Sequence, residues 1–137
     1  HFLAVTTIPS VLSTWVVGLP LPPWAVMIVV MFFFFIGGCF MDALGMILLT
    51  IPIFFPVAMQ LGYDPLWFAV TITVITTLGA VTPPVGATTY VVGGMAKGVR
   101  LEEVFKGVMF FLPAYLVCVI ILMLFPQIVT FLPNLMR

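Results

Sequence analysis

TLGAVTPPVGATTY, residues 77–90, sets two adjacent prolines between glycines and threonines inside a long apolar run. Pro83 and Pro84 carry no backbone N–H, so the carbonyls four residues earlier, on Gly79 and Ala80, lose their helical donors. Each proline also drives its predecessor towards extended geometry, which takes Thr82 and Pro83 out of a helix. The stretch therefore reads as a break, and Gly86 allows a second half-helix to begin beyond it.

The surroundings decide what such a break can mean. The chain has 137 residues, of which 64% are hydrophobic and only 6% charged, with fourteen phenylalanines. A soluble domain does not have this composition, so the chain belongs in a bilayer. A formal net charge of zero offers no basic face to nucleic acid. Cys39 and Cys118 lie far apart in apolar stretches, match no metal spacing and read as small buried hydrophobes. The chain opens at His1 without a basic leader region and reads as a piece of a longer protein.

Lipid supplies no hydrogen-bond partners, so each apolar block must close its own backbone bonds as a helix. Phe2 to Val17 is the incomplete end of one, stopped by the proline-rich stretch at 18–23. Trp24 to Gln60 carries a single charge, Asp42, near its centre. Leu66 to Ala96 would be roughly 46 Å long as a straight helix, against a hydrocarbon core of about 30 Å, so it must tilt or break. Gly107 to Phe125 has the length of one span, with a kink expected at Pro113. The intervening KGVRLEEVFK, 97–106, holds three of the four basic residues and is assigned to the cytoplasm by the positive-inside rule. The GYDP turn at 62–65 and the carboxy terminus then lie outside. Block two leaves and returns on one face, as two spans or as a re-entrant hairpin; parity does not choose.

Irregular backbone within a bilayer is tolerated only where protein or a water-filled cavity surrounds it. Freed carbonyls with the Thr82 hydroxyl form a hard, oxygen-rich group suited to a small cation such as Na⁺. The N–H groups of the second half-helix, near Ala87, Thr88 and Thr89, carry partial positive charge and suit a carboxylate. Discontinuous helices of this kind are a transporter device. Asp42, in GGCFMDALG at 37–45, costs about 2.5–3.5 kcal/mol at a bilayer centre, so a buried position implies a role. Gly37, Gly38 and Gly45 would permit a tight reversal and close backbone approach there. Pro52 and Pro56 weaken the second arm as a straight span. Asp64 before Pro65 reads as an N-cap, and Glu102 and Glu103 as first-turn residues. Trp15, Trp24, Tyr63 and Trp67 fall on the inferred outer face as an aromatic belt. No Ser-His or Cys-His arrangement is present, and Asp42 and Asp64 lie at different depths, so no enzyme is expected.

GCFMDALGMILLTIPIFFPVAMQLGYDP, followed by LGAVTPPVGATTYVV, resembles the carboxy-terminal part of the large membrane subunit of tripartite ATP-independent periplasmic (TRAP) transporters. The likeness runs from FLAVTTIP to FPQIVTFLPNL, and the order of Met41-Asp42, IPIFFPV, LGYDP and TPPVG is its most specific element. The resemblance implies an all-α polytopic membrane protein forming the second inverted repeat of an elevator-type transporter. It implies a helix end over 1–18, a re-entrant hairpin over 24–61, a broken transmembrane helix over 66–96, a cytoplasmic loop over 97–106 and a final helix over 107–125. Carried across, Asp42, Gly38, Gly79, Thr82 and Val85 would form a sodium site, with Gly86, Thr88 and Thr89 on the substrate side. The implied activity is sodium-coupled import of a small carboxylated solute across a bacterial inner membrane, with Na⁺ as coupling ion and no other cofactor. Implied partners are a periplasmic binding protein, a small membrane subunit and the remainder of the large subunit. The family often has Asn at the position of Thr88, and Pro-Thr at Ala43-Leu44, differences that bear on the solute. A channel or scaffold, and a sodium-coupled carboxylate transporter without a binding protein, are the alternatives.

Overall fold

The computed structural model describes residues 11, 14, 15, 18, 20–83, 85–96 and 98–135. The helix end expected over 1–18 lies, apart from four isolated positions, outside the described residues. From residue 23 onward the chain forms α1 (Pro23–Phe40), α2 (Ala43–Gln60), α3 (Pro65–Val81), α4 (Ala87–Met95), α5 (Leu101–Leu124) and α6 (Gln127–Leu135), with no strand among the described residues. α1, α2 and α5 are each long and apolar enough to cross a membrane.

Local chemistry sets the helix starts. Pro23 at the first position of α1 sacrifices no bond, because that N–H would be unpaired anyway. Asp64 caps α3, its Oδ1 accepting from Leu66 N at 2.8 Å and Trp67 N at 3.1 Å, with Pro65 following. α5 opens at Leu101, before the Gly107 expected from hydropathy alone, and carries Glu102 and Glu103 in its first turn, where the dipole favours them. It stays helical through Pro113.

Lipid tails are as apolar as leucine, so packing between these helices relies on close van der Waals contact and small residues. Met27, Val30, Met31 and Phe34 recur on one face of α1 and meet Trp67, Phe68, Ile72 and Ile75 of α3 in a buried cluster. Phe34 joins three helices, its ring 5.4 Å from Phe54 of α2 and 6.5 Å from Phe68 of α3. α1 and α3 run parallel: the amino-terminal halves share the cluster, and near their carboxy-terminal ends Gly38 sits against the backbone of Thr76. α5 runs antiparallel to α3 and α4, with Leu122 beside Trp67 and Leu101 beside Gly93.

Two expectations are overturned. Trp67 does not stand in an interfacial belt; it is 2% exposed, and its indole Nε1 donates to Leu122 O at 2.7 Å. The reason lies in α5: the helical donor for Leu122 O would come from residue 126, which is proline and has none, so the indole supplies it. Trp67→Phe is accordingly expected to leave a buried carbonyl unpaired and lower stability by about 1–3 kcal/mol, read as an earlier thermal unfolding transition in detergent. An unchanged transition would refute that role. Cys39 is buried as expected, whereas Cys118 is exposed on the outer face of α5, since that face has no neighbour among the described residues.

Candidate functional site

α3 ends at Val81, and the chain resumes as helix only at Ala87. Pro84, half of the motif that predicts this break, lies outside the described residues. Thr82 caps α3 in extended geometry, its N–H shared between Leu78 O at 3.1 Å and Gly79 O at 3.0 Å. Its hydroxyl donates to Leu78 O at 2.6 Å. The Gly79 carbonyl is therefore not left without a donor, as the prolines alone suggest, because the final turn tightens to a three-residue bond. The Val81 carbonyl, beyond that turn, accepts instead from the Thr89 hydroxyl at 2.9 Å, across the break.

Gly86 begins the second half-helix from the left-handed region, with φ 54° and ψ 59°. A Cβ there would meet Val81 O and the Phe105 ring at 3.2 Å and Thr82 O at 3.4 Å, so only glycine turns the chain this tightly. Among the described residues no side chain caps α4, whose first-turn N–H groups carry the partial positive charge that suits an anion. Thr88 is exposed beside them, whereas Thr89 is buried. Val85 is partly open at 36%.

The hairpin tip comes to the same level. A Cβ on Gly79 would meet the Phe35 carbonyl, Cys39 N at 3.0 Å and Gly38 C at 3.0 Å, all of them backbone atoms of α1. Gly38 and Gly79 are thus brought together, and with them the carboxy-terminal ends of two helices, both partly negative. The parallel register sets Met41-Asp42 level with Thr82. The reversal itself uses extended geometry at Met41 and Asp42 rather than a left-handed glycine. Gly37 instead makes room for the Met46 side chain, and Gly45 has open space around it. Asp42 caps α2, its Oδ2 accepting from Leu44 N at 3.1 Å. The carboxylate is exposed, and none of its hydrogen bonds among the described residues reaches the break.

On the α5 side a cavity of about 250 Å³ opens beside the break, lined by Leu78, Val81 and Thr82 and by Val108, Phe111, Leu112 and Tyr115. Among the described residues no three His, Cys, Asp or Glu side chains cluster. The oxygens near the break are those of the backbone and the Thr82 hydroxyl, while the Asp42 carboxylate bonds Leu44 N of its own helix.

The chain matches the family described as the DctM component of tripartite ATP-independent periplasmic transporters over residues 1–128. It belongs to that family. Its similarity to the C4-dicarboxylate TRAP transporter large permease protein DctM of Pseudomonas aeruginosa is 36% identity, covering 98% of this chain and 31% of that protein. The sialic acid TRAP transporter permease protein SiaT of Haemophilus influenzae is 38% identical over 72% of this chain and 16% of its own length. The isethionate TRAP transporter permease protein DctMQ of Oleidesulfovibrio alaskensis is 29% identical over 80% of this chain and 17% of its own. No solved structure gave a significant match. The chain spans about a third or less of the length of these relatives. As a DctM-family segment with three helices of membrane-crossing length, it is part of a multi-pass membrane protein.

Proposed function

We propose that this chain forms the ion-and-substrate half-site of a sodium-coupled secondary transporter that imports a small carboxylated solute across a bacterial inner membrane. The observation that carries the proposal is the meeting, at Gly38 and Gly79, of two helix carboxy-terminal ends beside a broken helix whose first free residue is Thr82. Two partial negative ends, the Thr82 hydroxyl and the level Asp42 carboxylate make a place for Na⁺, with the backbone at Val85 alongside. The uncapped start of α4, at Gly86 and the N–H groups from Ala87 to Thr89, receives the solute carboxylate, with the Thr88 hydroxyl next to it. Relatives named for C4-dicarboxylates, sialic acid and isethionate support an organic anion as cargo.

The depth of the tip supports a re-entrant hairpin. α5 faces Trp67 at Leu122 and Gly93 at Leu101, so it follows α3, the break and α4 along their whole course. The tip stops near the level of Thr82, which shares the cavity with Val108. From Val108, α5 continues for about 10 Å before its start at Leu101, at ~1.5 Å per residue. A turn halted there lies inside the bilayer that α5 crosses. With Arg100 and its neighbouring basic residues on the cytoplasmic side, the hairpin opens to the periplasm, where a binding protein delivers the solute. A small membrane subunit and the remainder of the large subunit cover the exposed apolar faces of α2 and α5, and the assembly moves as an elevator.

Thr82→Ala removes one ion-facing oxygen without disturbing the break. In proteoliposomes holding the intact transporter and its binding protein, it is expected to raise half-saturating sodium roughly tenfold, the size of about 1.4 kcal/mol, while Thr82→Ser keeps it near wild type. Uptake equally fast with and without sodium would reject the coupling, and solute flux down its gradient without the ion would point to a channel.

A further inference from the structure

The bond from the Thr89 hydroxyl to the Val81 carbonyl has a consequence for the ion site. Its partners lie eight residues apart on opposite sides of the break, and Thr89 is 3% exposed. A peptide unit is planar, so the Val81 carbonyl and the Thr82 N–H turn together. The N–H end is held by Leu78 O and Gly79 O, and the carbonyl end by Thr89. That plane is therefore pinned at both edges. Thr82 follows directly, and its hydroxyl is itself tied to Leu78 O. Gly86 closes the other side, its Cα turned so that Val81 O and Thr82 O lie just beyond the space a Cβ would take. Val81 O and the Thr82 hydroxyl are thus each held by a hydrogen bond.

We propose that Thr89 is a positioning residue for the ion site: by holding the Val81 carbonyl it fixes the direction of the Thr82 oxygens and locks α3 and α4 into one rigid unit. The inference rests on the sodium reading above and assigns Thr89 a part that its place in the sequence does not suggest. Its hydroxyl is buried against Val81 O and acts through the backbone. The break is then a stiff joint, and the two half-helices move as a body instead of flexing against each other.

The test compares Thr89→Val, which keeps the shape and loses the donor, with Thr89→Ser, which keeps the donor, in the intact reconstituted transporter. Half-saturating sodium is expected to rise roughly five- to tenfold in the valine variant, the size that a lost buried hydrogen bond produces. The solute's half-saturation, measured at saturating sodium, stays within about twofold of wild type, and the serine variant restores sodium affinity. A solute half-saturation that rises while sodium is unmoved would make Thr89 a direct ligand and overturn the proposal. So would a valine variant with both values unchanged, or one with a lower maximal rate alone. If wild-type uptake ignores sodium, the functional reading above falls and this inference with it. If wild-type uptake is sodium-driven and the valine variant behaves as wild type, only the inference on Thr89 falls.

Discussion

Asp42→Asn is expected to abolish most sodium-driven uptake at physiological sodium, with half-saturating sodium raised on the order of 100-fold. Asparagine caps a helix about as well as aspartate, so the bond to Leu44 N at 3.1 Å survives and α2 keeps its start. The substitution thus isolates the charge. A unit charge about 4 Å from a sodium ion, in surroundings of effective dielectric about 20, interacts by about 4 kcal/mol. Even half of that is more than tenfold in affinity. The measurement is initial uptake against sodium concentration, paired with a thermal unfolding curve to show that the fold is intact. Equal sodium curves for the two proteins would remove Asp42 from the site, leaving its position as a helix cap and nothing more.

Gly79→Ala is expected to be the most disruptive small substitution in the chain. The added methyl would run into the Phe35 carbonyl and lie 3.0 Å from Cys39 N and Gly38 C, and backbone atoms within a helix cannot step aside as a side-chain tip can. α1 must move away from α3, which unseats Phe34 from the cluster it shares with Phe54 and Phe68. Overpacking of this kind costs about 1–3 kcal/mol, and here it also parts the two helix ends of the proposed ion site. The expected result is an earlier unfolding transition together with loss of sodium dependence. Gly38→Ala meets the Thr76 backbone and should do the same, with the double substitution less than additive because both relieve one contact. Gly45→Ala is the control: nothing lies within 4 Å of its Cβ, and in a helix interior alanine gains up to about 1 kcal/mol over glycine. Should Gly79→Ala unfold no earlier than Gly45→Ala, the close crossing is not a constraint.

These outcomes separate the two kinds of information in the chain. Pro83 and Pro84 announce the break by removing N–H groups, and no fold could restore them, so its position was readable from the residues alone. The Asp64-Pro65 cap and the first-turn Glu102 and Glu103 are of the same sort, since each acts on backbone within a turn of itself. Trp67 reads as an interfacial aromatic because its aromatic character and its place near a helix start say nothing of a carbonyl fifty-five residues away that Pro126 leaves unpaired. Gly38 and Gly79 could be marked as permissive, but nothing local says that they face each other. Thr88 and Thr89 are neighbours in sequence, and only the turn at Gly86 sends one hydroxyl inwards and leaves the other outside.

The residues by themselves determine that this chain is helical, that it lives in lipid and where its helices must stop, because those follow from hydropathy and from which backbone groups exist to bond. Which freed carbonyl is taken by Trp67 or Thr89 depends on the approach of helices distant in sequence. A hydrogen bond requires its two ends within about 3 Å, and that distance is a property of packing, to which no single segment holds the key.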